Sequence, residues 1–187
     1  MQLTGILMRQ NKHIIRTITQ VAISVAVLSM VTRVALAEQG ALPGGASSLQ
    51  ETYQDWSVGC RLANGAKKCL ISQTQNQNGQ RLLALELQSG KDQNAEGILL
   101  LPFGLKLGSG VILTVDDKPG MAPLQFSTCL PTGCLVPLTF DAKTLAGLRA
   151  GKAIKIATQR VDGPAMTFSV SLNGFATGFD RVAALGK

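Results

Sequence analysis

Histidine is nearly absent from this sequence, because its 187 residues contain only His13. That residue falls in an N-terminal segment that we interpret below as a cleaved leader, so the mature protein would contain none. The lack of histidine excludes hydrolases with a histidine base, proton transfer by imidazole near neutral pH and most zinc sites. Carboxylate, lysine and tyrosine chemistry remains open.

Aromatic and charged residues are also scarce. One Trp, one Tyr and six Phe make up 4% of the chain, and Asp, Glu, Lys and Arg together make up 16%. Nucleic-acid-binding surfaces combine clustered basic residues with aromatic side chains, and no such patch is present. The densest basic region is typical of a solvated face and contains Lys143, Arg149, Lys152 and Lys155. We therefore expect no nucleic-acid partner.

No apolar run reaches the roughly 20 residues that a membrane-spanning helix needs. The run at residues 18–31 is interrupted by polar side chains and is followed by Ala35-Leu36-Ala37. The basic residues before it, with no acid among them, are Arg9, Lys12 and Arg16. This order is typical of a secretory signal peptide, with an uncleaved anchor as the alternative. We predict a cleaved signal peptide over residues 1–37 and no integral membrane span in the mature protein.

Loss of residues 1–37 would change both size and charge. Of 187 residues 150 would remain, enough for one domain with its own core. Four of the 18 basic residues leave with the leader, so 14 bases oppose 11 acids and the net charge falls from +7 to +3. Pro43-Gly44-Gly45 indicates a flexible leader over residues 38–52. We predict a single domain over residues 53–187.

The four cysteines predict two short disulfide bridges. They are Cys60, Cys69, Cys129 and Cys134. Asn64-Gly65 between two strand-like segments predicts a type I′ hairpin, and its register places Cys60 opposite Cys69 within disulfide reach. That leaves Cys129 with Cys134, around a Pro-Thr-Gly turn. The spacings match neither a zinc ribbon nor a C-x-x-C redox motif, and an exported protein favours structural disulfides.

The first predicted hairpin also contains the residues that we consider for packing and for binding. We expect Trp56 to fill the core over the Cys60–Cys69 bridge. Arg61, Lys67 and Lys68 lie beside the turn and form the candidate binding rim.

Alternating and apolar segments separated by turn residues predict eight or nine short strands. Besides the two at the hairpin turn, they lie at residues 81–88, 97–101, 111–115, 123–129, 134–140, 153–158 and 165–172. The polar tract at residues 73–80 predicts an exposed loop. Asp141 and Gly151 delimit one short internal helix over residues 142–150, and residues 175–185 predict a C-terminal helix. The fold class is therefore all-β, an immunoglobulin-like antiparallel β-sandwich.

Several motifs together resemble the invasion-associated locus B proteins of alphaproteobacteria, over residues 54–179. They are Asp55-Trp56-x-Val58-x-Cys60, Cys69-x-Ile71-x-Gln73, Leu101-Pro102-Phe103-Gly104-x-x-Leu107, Cys129-x-x-x-Gly133-Cys134, Leu145-x-x-Leu148-x-x-Gly151 and Val170-Ser171-Leu172-x-Gly174-Phe175. The resemblance implies an exported, periplasmic or envelope-associated β-sandwich without established catalytic residues. In some pathogens the family is linked to host-cell entry, and it is present in non-pathogens too.

The residues in these motifs are of the kind that build a scaffold. We expect Gly104, Gly133 and Gly174 to occupy positions with unusual dihedrals or close backbone approach. Phe175 is expected to be structural, and Pro102-Phe103 to form a buried turn.

We therefore expect a non-enzymatic protein without a cofactor that binds another protein or an envelope component. We expect it in the periplasm, associated with the outer membrane, or secreted. One alternative is a hydrolase with two carboxylates about 5 to 9.5 Å apart in a cleft. The only adjacent acids are Asp116 and Asp117, in a sequence typical of a solvated turn. The other alternative is a carrier with an apolar cavity between its sheets.

Overall fold

The computed structural model describes residues 42–187, so the predicted signal peptide and the first residues of the predicted leader lie outside it. The described part contains ten strands and two α-helices. In chain order they are β1 (Ser48–Tyr53), β2 (Trp56–Ala63), β3 (Ala66–Gln77), β4 (Gln80–Ser89), β5 (Ala95–Leu101), β6 (Val111–Val115), β7 (Thr128–Leu130), β8 (Gly133–Phe140), α1 (Ala142–Ala150), β9 (Ala153–Gln159), β10 (Ala165–Ser171) and α2 (Phe175–Leu185).

The strands form two antiparallel sheets. The larger has seven strands in the order β1-β2-β3-β4-β5-β8-β7, and the smaller has three in the order β10-β9-β6. The first five strands follow one another as a meander, because each is joined to the next by a short connection. The prediction of an all-β sandwich with two helices is confirmed. The unequal division into seven and three strands is a feature that the sequence pattern did not indicate.

The core lies between the two sheets and beneath α2. Trp56 and Val58 on β2 are completely buried, as expected where one face of an alternating strand is covered. Phe175, Phe179 and Val182 recur at helical spacing along α2 and are buried too. Each large apolar side chain contributes roughly 1.5 to 3 kcal/mol by leaving water. We call the covered face of the larger sheet its inner face and the opposite one its outer face.

Both helices have the predicted limits. The carboxylate of Asp141 accepts a hydrogen bond from the amide of Thr144 at 2.7 Å, which caps the first turn of α1. Hydrogen bonds from the Thr144 side chain and from this amide hold the pKa of Asp141 below its ordinary value. At the other end, the amide of Gly151 donates to the carbonyl of Leu148. The cap residues were visible in the sequence, which is why the bounds of α1 were predictable.

The predicted flexible leader over residues 38–52 is wrong for its last five residues. These belong to β1, which pairs with β2 from Ser48 opposite Arg61 to Tyr53 opposite Trp56. Leu42, further upstream, is buried. Leu49 and Tyr53 pack partly buried against the core, and the free edge of β2 supplies the hydrogen-bond partners. The ordered chain therefore begins before residue 53.

The predicted exposed loop at residues 73–80 is also wrong. β3 continues through the polar residues to Gln77, and only Asn78 and Gly79 form the turn into β4. Both turn residues have positive φ, as do Asn64 and Gly65 in the first hairpin. The Asn-Gly signal was therefore present twice, and polar composition obscured the second one.

Candidate binding surface

The hairpin of β2 and β3 has the predicted register. Cys60 lies opposite Cys69 and forms a disulfide with it, and Arg61 lies opposite Lys68. Both cysteines are buried. The second disulfide joins Cys129 on β7 to Cys134 on β8, again between directly opposed residues. Both short bridges therefore lie within hairpins.

Trp56 is buried, and its anchors lie in the C-terminal part of the chain. Its indole Nε1 donates a hydrogen bond to the carbonyl oxygen of Ser171 at 2.9 Å. Its ring centroid lies 5.1 Å from that of Phe175, which in turn lies 5.6 Å from Phe179. Trp56 and Cys60 share the inner face of β2, but the ring is fixed by α2 and the end of β10. Trp56 therefore joins the stapled hairpin to the last two elements of the chain.

Gln73 is a structural residue whose role the sequence did not reveal. Its side-chain amide donates to the carbonyl of Ser171 at 3.0 Å and accepts from the amide of the same residue at 3.2 Å. The Gln75 amide donates to the carbonyl of Ser169 at 2.7 Å. These side chains act on β10 as a neighbouring strand would, because they satisfy backbone groups at its open edge. The polar residues of β3 therefore connect the two sheets.

The three predicted rim residues do not lie together. Arg61 and Lys68 form a directly opposed pair on the outer face of the larger sheet, and both are exposed. Lys67 lies on the inner face, where its ammonium group donates to the carbonyl of Lys187. The reason is the period of two along a strand, which places neighbouring residues on opposite faces. The candidate rim therefore consists of Arg61 and Lys68.

Arg61 and Lys68 border an open depression on the outer face. It measures about 610 Å³ and is lined by Ser48, Leu49, Gln50, Gly59, Cys60, Arg61, Lys68, Cys69, Leu70, Glu86 and Gln88. A Cβ added to Gly59 would meet no atom within 4 Å, so the space above this residue is empty. A second depression of about 370 Å³ shares Leu70, Glu86 and Gln88 with it and extends to Glu96 and Ile98. We call the two together the outer-face groove.

The charges of the outer-face groove are separated. Arg61 and Lys68 lie at one end, Glu96 lies toward the other, and Glu86 lines both depressions. Like charges directly opposite each other on neighbouring strands are destabilising. Among residues 42–187, no carboxylate lies within ion-pair distance of Arg61 or Lys68. The positive end is therefore an uncompensated pair of cations beside an open space.

Glu86 and Glu96 are two acids on adjacent strands of the outer face, an arrangement to compare with that of a carboxylate hydrolase. Glu86 lies opposite Ile98, two residues from Glu96 on the adjacent strand, a diagonal that separates Cα atoms by roughly 7 to 8 Å. Both side chains are exposed. Both residues line an open depression, so their carboxylates stay in contact with water.

Asp116 and Asp117 have structural partners. The Asp116 carboxylate accepts hydrogen bonds from the backbone amides of Ala153 at 3.0 Å and Lys152 at 2.9 Å, and these bonds hold its pKa below the ordinary value. Asp117 forms an exposed ion pair with Lys155 at 2.9 Å. The two acids connect the end of β6 to the start of β9.

The three predicted glycines occupy positions with positive φ. At Gly174, which precedes α2, an added Cβ would lie 2.1 Å from the carbonyl oxygen of Tyr53. At Gly133 it would lie 2.6 Å from the carbonyl oxygen of Leu101. At Gly104 the space is open, so only the φ of +84° favours glycine there.

The buried turn predicted at Pro102-Phe103 is wrong for Phe103, which is 60% exposed. The apolar flanks on which that prediction depended do turn inward, since Leu101 and Leu105 are buried. Phe103 lies between them at the tip of a tight bend. The apolar flanks therefore did not reveal that Phe103 itself is exposed.

The motifs, the two stapled hairpins and the docking of α2 on Trp56 can be compared with known proteins. A model of the family "Invasion associated locus B (IalB) protein" matches residues 56–183. The chain belongs to the invasion associated locus B family. The match begins at Trp56 and ends within α2, so it covers both hairpins and the helix that anchors Trp56.

Two relatives and one solved structure agree with this assignment. An invasion protein B homolog from Brucella abortus strain 2308 is 46% identical over 149 residues, which cover 78% of this chain and 86% of the relative. Invasion protein B from Bartonella bacilliformis is 37% identical over 150 residues, which cover 78% and 81%. The crystal structure of invasion associated protein B from Bartonella henselae superposes with a TM-score of 0.70 at 34% identity, covering 73% of this chain and 96% of that one.

Proposed function

We propose that this invasion associated locus B protein is exported, has no catalytic activity and acts by binding a protein or an envelope component. The protein would act in the periplasm, on the outer membrane or outside the cell after secretion. The order of the N-terminal residues and the two disulfides support export, because such bridges persist in oxidising compartments. In residues 42–187, no helix has both the length and the apolarity to cross a bilayer.

The observation that carries the proposal is the uncompensated cation pair beside the outer-face groove. Arg61 and Lys68 are directly opposed, and their like charges repel each other. An anionic group on a partner would compensate both, and arginine is suited to bidentate contact with a carboxylate or a phosphate. The open space over Gly59 leaves room for that group close to the sheet.

The relatives' names suggest a process in which such binding would take part. The matched proteins from Brucella and Bartonella are called invasion proteins. For this chain, a role in host-cell interaction is the finer part of the proposal. Identifying the partner would decide whether the protein has that role.

The two alternatives have less support. The hydrolase depends on Glu86 and Glu96, which are exposed on the rim of an open groove. The carrier needs a cavity between the sheets, where large side chains such as Trp56, Phe175 and Leu99 are packed and fully buried.

Site-specific photo-cross-linking in the living cell tests the proposed surface. A photoreactive side chain at Gln50, on the floor of the groove, should give a discrete adduct with a partner. The control position is Thr167, exposed on β10 of the smaller sheet, which should give none. Charge reversal of Arg61→Glu with Lys68→Glu should remove the adduct from Gln50. Absence of an adduct, or equal adducts from both positions, would contradict the proposal.

A further inference from the structure

The most exposed apolar side chains of the described residues gather at one end of the sandwich. Phe103 is 60% exposed, Val161 61% and Leu130 47%. Phe103 and Val161 lie on the connections that follow β5 and β9, and Leu130 is the last residue of β7, just before the connection to β8. Soluble proteins seldom leave large apolar side chains together on a surface without a binding role. We call these three residues the apolar tip.

Backbone contacts hold the three connections side by side. The amide of Val161 donates to the carbonyl of Gly104 at 3.0 Å, next to Phe103 in the chain. Leu130 pairs with Gly133, whose backbone approaches the carbonyl of Leu101 so closely that an added Cβ would lie 2.6 Å from it. The apolar tip is therefore a feature of the folded domain and does not depend on the chance position of one loop.

The connections that carry the tip are well anchored. Leu105 forms an isolated bridge with Arg160, and the amide of Lys106 donates to the carbonyl of Gln159 at 2.8 Å. The disulfide at Cys129 braces the strand that carries Leu130. Because these segments are already ordered, binding would cost little conformational entropy.

The charged residues around the apolar tip are mainly basic. Lys106 and Arg160 lie on the same connections, and Arg81 is the second residue of β4, the strand next to β5, at this end of the sheet. All three are exposed, and the acid on these connections is Asp162. The local excess is therefore two positive charges. A protruding Phe with aliphatic neighbours and flanking cations is typical of segments that lie in the interface of an anionic bilayer.

We propose that this end of the domain docks on a membrane surface containing anionic lipids. Phe103 and Val161 enter the headgroup region, and Lys106, Arg160 and Arg81 contact lipid phosphates. The domain then lies on the membrane by one end, and the outer-face groove, which is on a different side of the molecule, stays open to a partner. The proposal is independent of what the groove binds.

Vesicle flotation with the oxidised, exported protein tests this proposal. The probes are phosphatidylcholine vesicles with and without phosphatidylglycerol. We expect binding to the anionic vesicles that weakens as salt rises, and little binding to the neutral ones. Phe103→Ser with Val161→Ser should lower the partition coefficient at least tenfold, and so should Lys106→Glu with Arg160→Glu. Ile98→Ser is the matched control, because this side chain is 41% exposed in the outer-face groove and should leave binding unchanged.

Fluorescence provides a second readout that does not depend on affinity. Trp56 is the single tryptophan and is buried, so a Phe103→Trp variant adds an exposed probe. Its emission should shift to shorter wavelength on anionic vesicles and stay unshifted on neutral ones. Equal binding of wild type and the Phe103→Ser, Val161→Ser variant, or equal binding to both vesicle types, would overturn the proposal, provided that circular dichroism shows both proteins folded. Arg61→Gln with Lys68→Gln should bind vesicles as wild type does, which separates this result from a failure of the groove proposal.

Discussion

The two stapled hairpins have the same local chemistry and very different surroundings. Cys60 and Cys69 are buried on the inner face, on strands β2 and β3 that have neighbours on both sides. Cys129 is exposed on β7, a three-residue strand at the edge of the sheet. The first bridge is therefore part of a core, whereas the second holds an edge strand that has few other contacts. A disulfide's contribution depends on what surrounds it as well as on the length of its loop.

Loop length by itself predicts almost no difference between the two bridges. They are separated by 9 and 5 residues in sequence. By the chain-entropy treatment, closing such loops stabilises the folded state by roughly 2 to 3 kcal/mol in each case. Any larger difference between the two must come from burial and from neighbouring strands, so deleting each bridge separates the two contributions.

Replacing Cys60 and Cys69 together by Ala should have the largest effect. We expect the free energy of unfolding to fall by about 3 to 4 kcal/mol, because loop-closure stabilisation is lost and two buried sulfur atoms leave a gap in the core. Equilibrium denaturation in urea under oxidising conditions measures this. An unchanged midpoint would show that β2 and β3 are held by their ladder alone.

The matched variant is Cys129→Ala with Cys134→Ala. We expect a global loss of about 2 kcal/mol from loop closure alone, since Cys129 is exposed and Cys134, although buried, lies outside the main hydrophobic core. Hydrogen exchange should instead show early loss of protection in β7, which has three ladder residues. If this variant were the less stable of the two, the proposed difference between core and edge would be wrong.

The first hairpin also shows how far sequence reasoning extends and where it ends. Asn64-Gly65 determines both the turn and the register, so the Cys60–Cys69 pairing follows from local residues. The limits of α1 follow from its caps in the same way. The burial of Gln73 does not follow from local residues, because it depends on the open edge of β10, about 100 residues later in the chain.

The candidate site was partly predictable for the same reason. Arg61, Lys67 and Lys68 were found by proximity to the turn, but the alternation of faces along β3 divides them. The exposure of Phe103 depends on where two other connections pass, so its apolar flanks predicted a buried residue. Local signals therefore gave the elements and the bridges, and non-local packing determined the surfaces.

Gln73→Ala tests whether the first hairpin also contributes through its link to β10. Loss of the side-chain amide would leave the backbone N–H of Ser171 without this partner in a half-buried position, at a cost of roughly 1 to 3 kcal/mol. The matched control is Gln75→Ala, whose bond to Ser169 is exposed and should be worth about 0.5 kcal/mol. Thermal unfolding of both variants measures the difference, and equal losses would show that the link does not depend on burial.

Glu51 gives the smallest expected effect, and it concerns β1, the strand that flanks the first hairpin. Its carboxylate accepts two hydrogen bonds of 2.8 Å from the guanidinium of Arg181 on α2 and one from the Tyr53 hydroxyl. The bonds from Arg181 are the main cause that lowers the pKa of Glu51 below 4.5 in the folded protein. The resulting stabilisation is therefore complete above the unfolded-state pKa and is lost as the pH falls through the lower, folded-state pKa.

Glu51→Gln should accordingly lower the melting temperature by about 2 °C at pH 7, and this difference should shrink as the pH falls toward 3. Asp116 and Asp141 also have lowered pKa values, but they titrate in both proteins, so the difference between wild type and variant isolates Glu51. A difference that stayed constant from pH 7 to pH 3 would mean that Glu51 acts through packing and not through its charge. The hairpin at Cys129 has no ion pair to a helix among the described residues, so Cys129→Ala with Cys134→Ala should leave this pH-dependent difference intact.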